Sequence, residues 1–142
     1  MNIGKQGERL FASIMTQLGY EVVDRTNEPD YWSKDIDFTI TSPTTGLVKE
    51  FEVKFDSRIN RTHNLYLEIS NIHSKGGRGW FEFCEADYLA YGDSHTNTFF
   101  VIPMDELKKR VAQLPKRVAR CGYDSVGYLV SLEDIKDLYK TL

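Results

Sequence analysis

The 142-residue chain predicts an α/β domain in which helices pack on a mostly central sheet. Three observations carry that expectation. The chain opens on an amphipathic helical repeat. Segments of period-two alternation follow, the first two of them joined by a tight turn. Helical stretches then return among further short strands. The length suits a single domain, 1–142, and 41% apolar with 13% aromatic residues is enough to build a core.

Each element has its own signal. In residues 3–18, Leu10, Phe11, Ile14, Met15 and Leu18 recur at the spacing of one helix face, and Gly19 is a natural stop. Tyr20 to Val23 predicts a short strand, and Asn27, Pro29 and Asp30 a loop. From Asp35 to Ile40, Ile36, Phe38 and Ile40 alternate with Asp35, Asp37 and Thr39. Residues 42–46 form a hairpin turn. In the strand from Leu47 to Phe55, Phe51, Val53 and Phe55 face one way and Glu50, Glu52 and Lys54 the other. Leu65 to Ile72, Ala86 to Tyr91, Thr98 to Ile102 and Gly127 to Val130 predict further strands. Pro103 suits the first turn of a helix running to about Gln113. Ser131, with Asp134 three residues on, predicts the cap of a last helix.

The net charge of −3 excludes a polycation that coats nucleic acid by charge alone. Its distribution is uneven. Nine acids and five bases fall before Lys54, five bases and two acids between Lys54 and Arg78, and six bases with no acid between Lys108 and Arg120. No apolar run approaches the roughly 18 residues of a spanning helix, and the start lacks the apolar stretch of a signal peptide. Cys84 and Cys121 fit neither a disulfide framework nor zinc spacing, so both are expected as free thiols in a reducing cytoplasm. His63 and His73 also lack zinc spacing.

Two carboxylates and a lysine share the polar side of the predicted hairpin. Asp37, Glu52 and Lys54 can converge above one sheet face, a poor way to build a core but a good way to hold a hard divalent cation. The lysine is then placed to bind a scissile phosphate and to orient water. Asp35 lies on the same predicted strand face and competes with Asp37, which is favoured because it directly precedes the Phe38-Thr39-Ile40 alternation. Glu8 lies three and seven residues before Phe11 and Met15, beside the buried stripe of the first helix, and needs a partner there. The competing reading of Glu52 and Lys54 is an ordinary ion pair on an exposed sheet face.

The order of helix Glu8, strand Asp37, a turn, then Glu52-Val53-Lys54 resembles the PD-(D/E)xK nuclease superfamily, which includes restriction endonucleases and Holliday junction resolvases. Fourteen residues separate Asp37 from Glu52, within the family spacing, although Ile36 stands where the family has proline. Arg58, Arg61, Thr62, Asn64, Leu65-Tyr66-Leu67-Glu68, the glycine loop up to Trp80, and Ala86-Asp87-Tyr88 resemble a phage- and bacterial-type subgroup. The resemblance spans about Gly4 to Leu107.

It implies a restriction-endonuclease-like αβββαβ core with a mixed central sheet flanked by helices. It further implies Mg²⁺ or Mn²⁺ on Asp37, Glu52 and the Val53 carbonyl, with Glu8 holding a second metal or a metal-bound water, and Lys54 as the residue that positions the attacking water. The expected function is a Mg²⁺-dependent DNA endonuclease of recombination, repair or restriction, in a bacterial or phage-encoded protein. So short a chain leaves little room for a sequence-reading domain, which favours structure-selective or weakly specific cutting of duplex or branched DNA. A homodimer is the expected assembly. Arg58, Arg61, Lys75, Arg78, Lys108 and Lys109 are the candidate DNA-binding residues, and Trp32, Tyr66 and Trp80 are available to stack on bases or to pack. The loop from Gly76 to Gly79 lacks the Lys-Ser/Thr of a Walker loop and is expected to be a flexible turn. A binding module that keeps the fold without the activity, an exonuclease, and an RNase are the rival functions.

Overall fold

A computed structural model describes residues 2–142, apart from the side chain of Lys75. The helices are α1 (Ile3–Gln17), α2 (Pro29–Trp32), α3 (Ile59–Thr62), α4 (Trp80–Phe83) and α5 (Met104–Gln113). The strands are β1 (Glu21–Asp24), β2 (Phe38–Thr41), β3 (Val48–Asp56), β4 (Asn64–Asn71), β5 (Tyr88–Asp93), β6 (Thr98–Pro103), β7 (Val118–Cys121), β8 (Ser125–Ser131) and β9 (Lys140–Thr141). Short 3₁₀ turns span Lys75–Gly77 and Leu132–Ile135.

Six strands form a mixed sheet in the order β1-β2-β3-β5-β6-β9. Only β3 and β5 run parallel; the other pairs are antiparallel. A second, antiparallel sheet has the order β4-β8-β7. The expected α/β class and mixed central sheet are therefore present. Helix α1 covers one face, where Phe11 packs its ring on Phe38, Phe51 and Phe99 at centroid distances of 5.2–5.8 Å. Gly7 makes this close approach possible, because a Cβ there would lie 2.4 Å from the Cβ of Phe55. The opposite face is covered by the small sheet and α5, through Leu65, Leu67, Leu89, Ile102, Leu107 and Val130.

Several predicted elements differ. β2 begins only at Phe38, so Asp35 and Asp37 precede it. Asp35 adopts a left-handed conformation (φ 52°), which breaks the period of two: Ile36 packs in the core on one side of the large sheet and Phe38 in the core on the other. The shared strand face predicted for Asp35 and Asp37 is thus replaced by a turn. The predicted last helix is a single 3₁₀ turn, although Ser131 Oγ does accept the Glu133 N–H at 3.2 Å. The basic run 108–120 leaves its helix at Gln113 and continues through a loop into β7. Gly79 is no flexible joint, since a Cβ there would lie 2.3 Å from the Glu68 carbonyl oxygen of β4. Among the described residues no helix is long and apolar enough to cross a membrane. Both cysteines are free, Cys84 buried and Cys121 exposed.

Candidate active site

The pairing of β2 with β3 begins at Phe38 opposite Phe51, while β3 runs on to Asp56. Beyond Phe51 one edge of β3 is therefore open, and a cleft of about 420 Å³ lies along it. Glu8, Trp32, Asp35, Asp37, Glu52 and Lys54 are among its walls. Asp37 stands where β2 would have continued. Its N–H donates to the Phe51 carbonyl at 2.9 Å, and its Oδ2 accepts the Val53 N–H at 2.8 Å. N–H and C=O of one strand residue project to the same edge, so the Val53 carbonyl also faces this cleft.

Glu52 and Lys54 emerge together from β3, as their two-residue spacing predicts. Lys54 Nζ lies 2.9 Å from Glu52 Oε1. Glu52 is only 3% exposed, which removes the reading of an exposed surface ion pair. Glu8 is a partly buried member of the same cleft and also meets Lys5, at 3.5 Å between Nζ and Oε2. Asp35 keeps its cleft position despite the turn, and its Oδ2 is buried with no hydrogen-bond partner.

The electrostatics are those of crowded negative charge. Burial lifts the Glu52 carboxyl well above its ordinary value, against the pull of Lys54 and with reinforcement from Asp37. Burial also raises Asp37, opposed by the Val53 N–H, by Lys54 and by a hydrogen bond with Glu52. Burial and then Asp37 raise Glu8, and burial raises Asp35. Burial works against the charge of Lys54, but Glu52, Asp37 and Asp35 outweigh it and push the ammonium above its ordinary value. Lys54 thus faces Glu52, Asp37 and Asp35, Lys5 meets Glu8, and all four carboxyls resist ionising. A divalent cation would relieve that resistance, and hard oxygen donors suit Mg²⁺ or Mn²⁺. Among the described residues, no three Asp, Glu, His or Cys side chains gather closely enough to cage a metal by themselves. The residues fit a cation held by two carboxylates, main-chain oxygen and water, which is the habit of Mg²⁺.

A second cleft adjoins the first through Lys54 and Phe55, and is lined by Arg58, Tyr66, Glu68, Trp80, Cys121 and Ser125. Its walls are hydrogen-bonded. Ser125 Oγ donates to Glu68 Oε2 and lies within hydrogen-bond distance of the Tyr66 hydroxyl, each at 2.7 Å. The Arg58 guanidinium lies over the Tyr66 ring, 5.5 Å from its centroid, and reaches Asp56 Oδ1 at 3.5 Å. The sequence singled out Arg58, Tyr66, Glu68 and Trp80 but not their meeting with Cys121 and Ser125, because these residues come from separate stretches of chain.

The other basic candidates scatter. Arg61 is exposed on α3, Arg78 covers the Phe83 ring at 4.7 Å, and Lys109 is exposed on α5. The Lys75 side chain lies outside the described residues. Lys108 donates to the Cys84 carbonyl at 2.8 Å and so closes the end of α4. The run 108–120 lines neither cleft. A mainly apolar hollow at the far end of α1 is lined by Met15, Leu18, Leu47, Phe51, Val101 and Leu142, with Lys49 and Lys140 also at its walls.

No family model matches the chain, and no curated protein sequence matches it. Among solved structures, it is similar to the bacterial homing endonuclease I-Ssp6803I, with a TM-score of 0.53 over 91% of this chain and 73% of that one, at 14% identity. The chain has the α/β fold of that nuclease.

Proposed function

We propose that the protein is a metal-dependent deoxyribonuclease of the PD-(D/E)xK type, cutting DNA internally. The observation that carries this reading is the convergence of Asp37, Glu52 and Lys54 on the open edge of β3, with carboxyl charge in excess. The shared fold of a homing endonuclease supports DNA as the substrate class. Asp37, Glu52 and the Val53 carbonyl would hold Mg²⁺ or Mn²⁺, and Glu8 would hold a second ion or its water. The ion supplies neutralisation of phosphate charge and an acidified water.

The chain's own residues do the rest. Val53 N–H fixes the Asp37 carboxylate. Lys54, already charged, sits where negative charge grows on an attacked phosphate. Glu52 holds Lys54 in place until substrate arrives. Arg58, Arg61, Arg78, Lys109 and exposed Trp32 are the groups offered to the DNA backbone and bases. A homodimer, with one such site per strand, would cut both strands of a duplex.

The test is incubation with supercoiled plasmid, linear duplex, four-way junction and RNA, in Mg²⁺, Mn²⁺ or EDTA. Nicking of closed circular DNA that EDTA abolishes is the expected result. Intact DNA in both metals, or cleavage of RNA alone, would overturn it.

A further inference from the structure

Lys54 lines both clefts, and about a third of its side chain is exposed. It therefore has a path out of the site. One side of its ammonium meets Glu52. The other side meets the indole of Trp80, with Nζ 4.8 Å from the ring centroid, inside the range of cation–π attraction. A cation on Glu52 would take away the first partner and leave the second.

We propose that Trp80 is a positioning residue for Lys54, keeping the ammonium in the site once a metal ion occupies Glu52. Its catalytic consequence rests on the nuclease reading above; its geometry does not. The indole is well placed to act as a wall because it is fixed from both directions. Gly79, pressed against the Glu68 carbonyl, sets the start of α4, and Arg78 bridges to Ser70 of β4. The indole stands edge-on to Phe81 at 5.9 Å and 86°, and Phe81 is buried in the core. Strand β4 of the small sheet thus reaches through Gly79 and Trp80 to the lysine of the large one.

The experiment begins with the full chain free of DNA and metal. In proton–carbon NMR, the Lys54 ε-methylene protons, assigned by their loss in Lys54→Arg, are expected upfield of the other lysines through the indole ring current. Trp80→Leu should return them to the common position, and Trp80→Phe should keep part of the shift. In single-turnover cleavage, Trp80→Leu should be slower by about tenfold. Its DNA affinity in Ca²⁺ should stay within about twofold of wild type, and Trp80→Phe should recover most of the rate. An unshifted Lys54 resonance in the wild type overturns the proposal, as does wild-type cleavage by Trp80→Leu. If Trp80→Leu does not fold, the wild-type shift and Trp80→Phe still decide it. If the wild type cuts nothing, the NMR result separates failure of the nuclease reading from failure of this one.

Discussion

The Val53 N–H donates to Asp37 Oδ2 at 2.8 Å, so one carboxylate oxygen of Asp37 ties the turn before β2 to the open edge of β3. Asn in its place keeps an oxygen acceptor but loses the charge. Asp37→Asn should therefore fold with nearly unchanged stability and lose Mg²⁺-dependent cleavage. Asp37→Ala leaves the N–H unpaired and should also cost about 1–3 kcal/mol of stability. Chemical denaturation and cleavage of the two variants side by side test both halves. Equal stability of the two would show that the tie is unimportant.

The raised carboxyls give stability a defined dependence on pH. In the unfolded chain Glu52 titrates near its ordinary 4.5, and in the folded chain well above that. Proton uptake on folding thus adds stability that is complete below the ordinary value and is lost as pH climbs through the folded one. In EDTA, the melting temperature of Glu52→Gln should exceed that of wild type at pH 7.5, and the gap should narrow towards pH 4.5. Mg²⁺ should raise the wild-type melting temperature more at pH 7.5 than at pH 5. A wild type and Glu52→Gln with parallel pH profiles would contradict the burial argument.

Gly7 determines how closely α1 approaches β3, and so where Glu8 meets the cleft. A methyl group at Gly7 would fall 2.4 Å from Phe55 Cβ and 2.5 Å from its Cγ. Gly7→Ala should cost about 1–3 kcal/mol through overpacking. It should also slow cleavage, because the helix that carries Glu8 must move outward. Glu8→Gln, by contrast, should slow cleavage without loss of stability. Thermal melts and single-turnover rates separate the two.

Much of this site was legible because strand periodicity is a local property. Glu52 and Lys54 share a face for the same reason that Phe51 and Val53 share the other, and Asp37 follows from the hairpin. Asp35 was misplaced because nothing in its neighbours announces a left-handed residue. Lys108 was singled out from a run of bases without an acid, and a charge run does not show that the carbonyls at the end of α4 lie beneath one of its members. The pairing of β4 with β8 joins residues some sixty positions apart, so neither it nor the approach of Trp80 to Lys54 could be read from any single segment.

Arg58 and Lys108 test which bases serve binding. Arg58 shares the second cleft with Lys54, whereas Lys108 is engaged with main-chain oxygens of Glu82 and Cys84. Arg58→Ala should weaken DNA binding and lower the slope of log affinity against log salt by about one. Lys108→Ala should leave the slope unchanged and lower the melting temperature. Gel shifts over a salt series, beside thermal melts, check the pair; the reverse pattern would move the DNA path towards α5.

Lys54→Ala distinguishes an enzyme from a module that only binds. Lys54 and a metal ion would compete for Glu52, since the ammonium lies 2.9 Å from Glu52 Oε1. Removing the lysine removes a repulsive charge from the cation's position, and the cation itself then offsets the buried carboxylate that would otherwise stand unpaired. Mn²⁺ should accordingly bind Lys54→Ala at least as tightly as wild type by titration calorimetry. Cleavage should nonetheless fall by about 10²-fold or more, because the charge that meets the attacked phosphate is gone. DNA affinity should change by no more than one phosphate contact. A binding module gives a different pattern, with no cleavage by either protein in Mg²⁺ or Mn²⁺ and only the small affinity change. Equal cleavage by the two proteins would take Lys54 out of the chemistry and leave it as the counter-charge of Glu52.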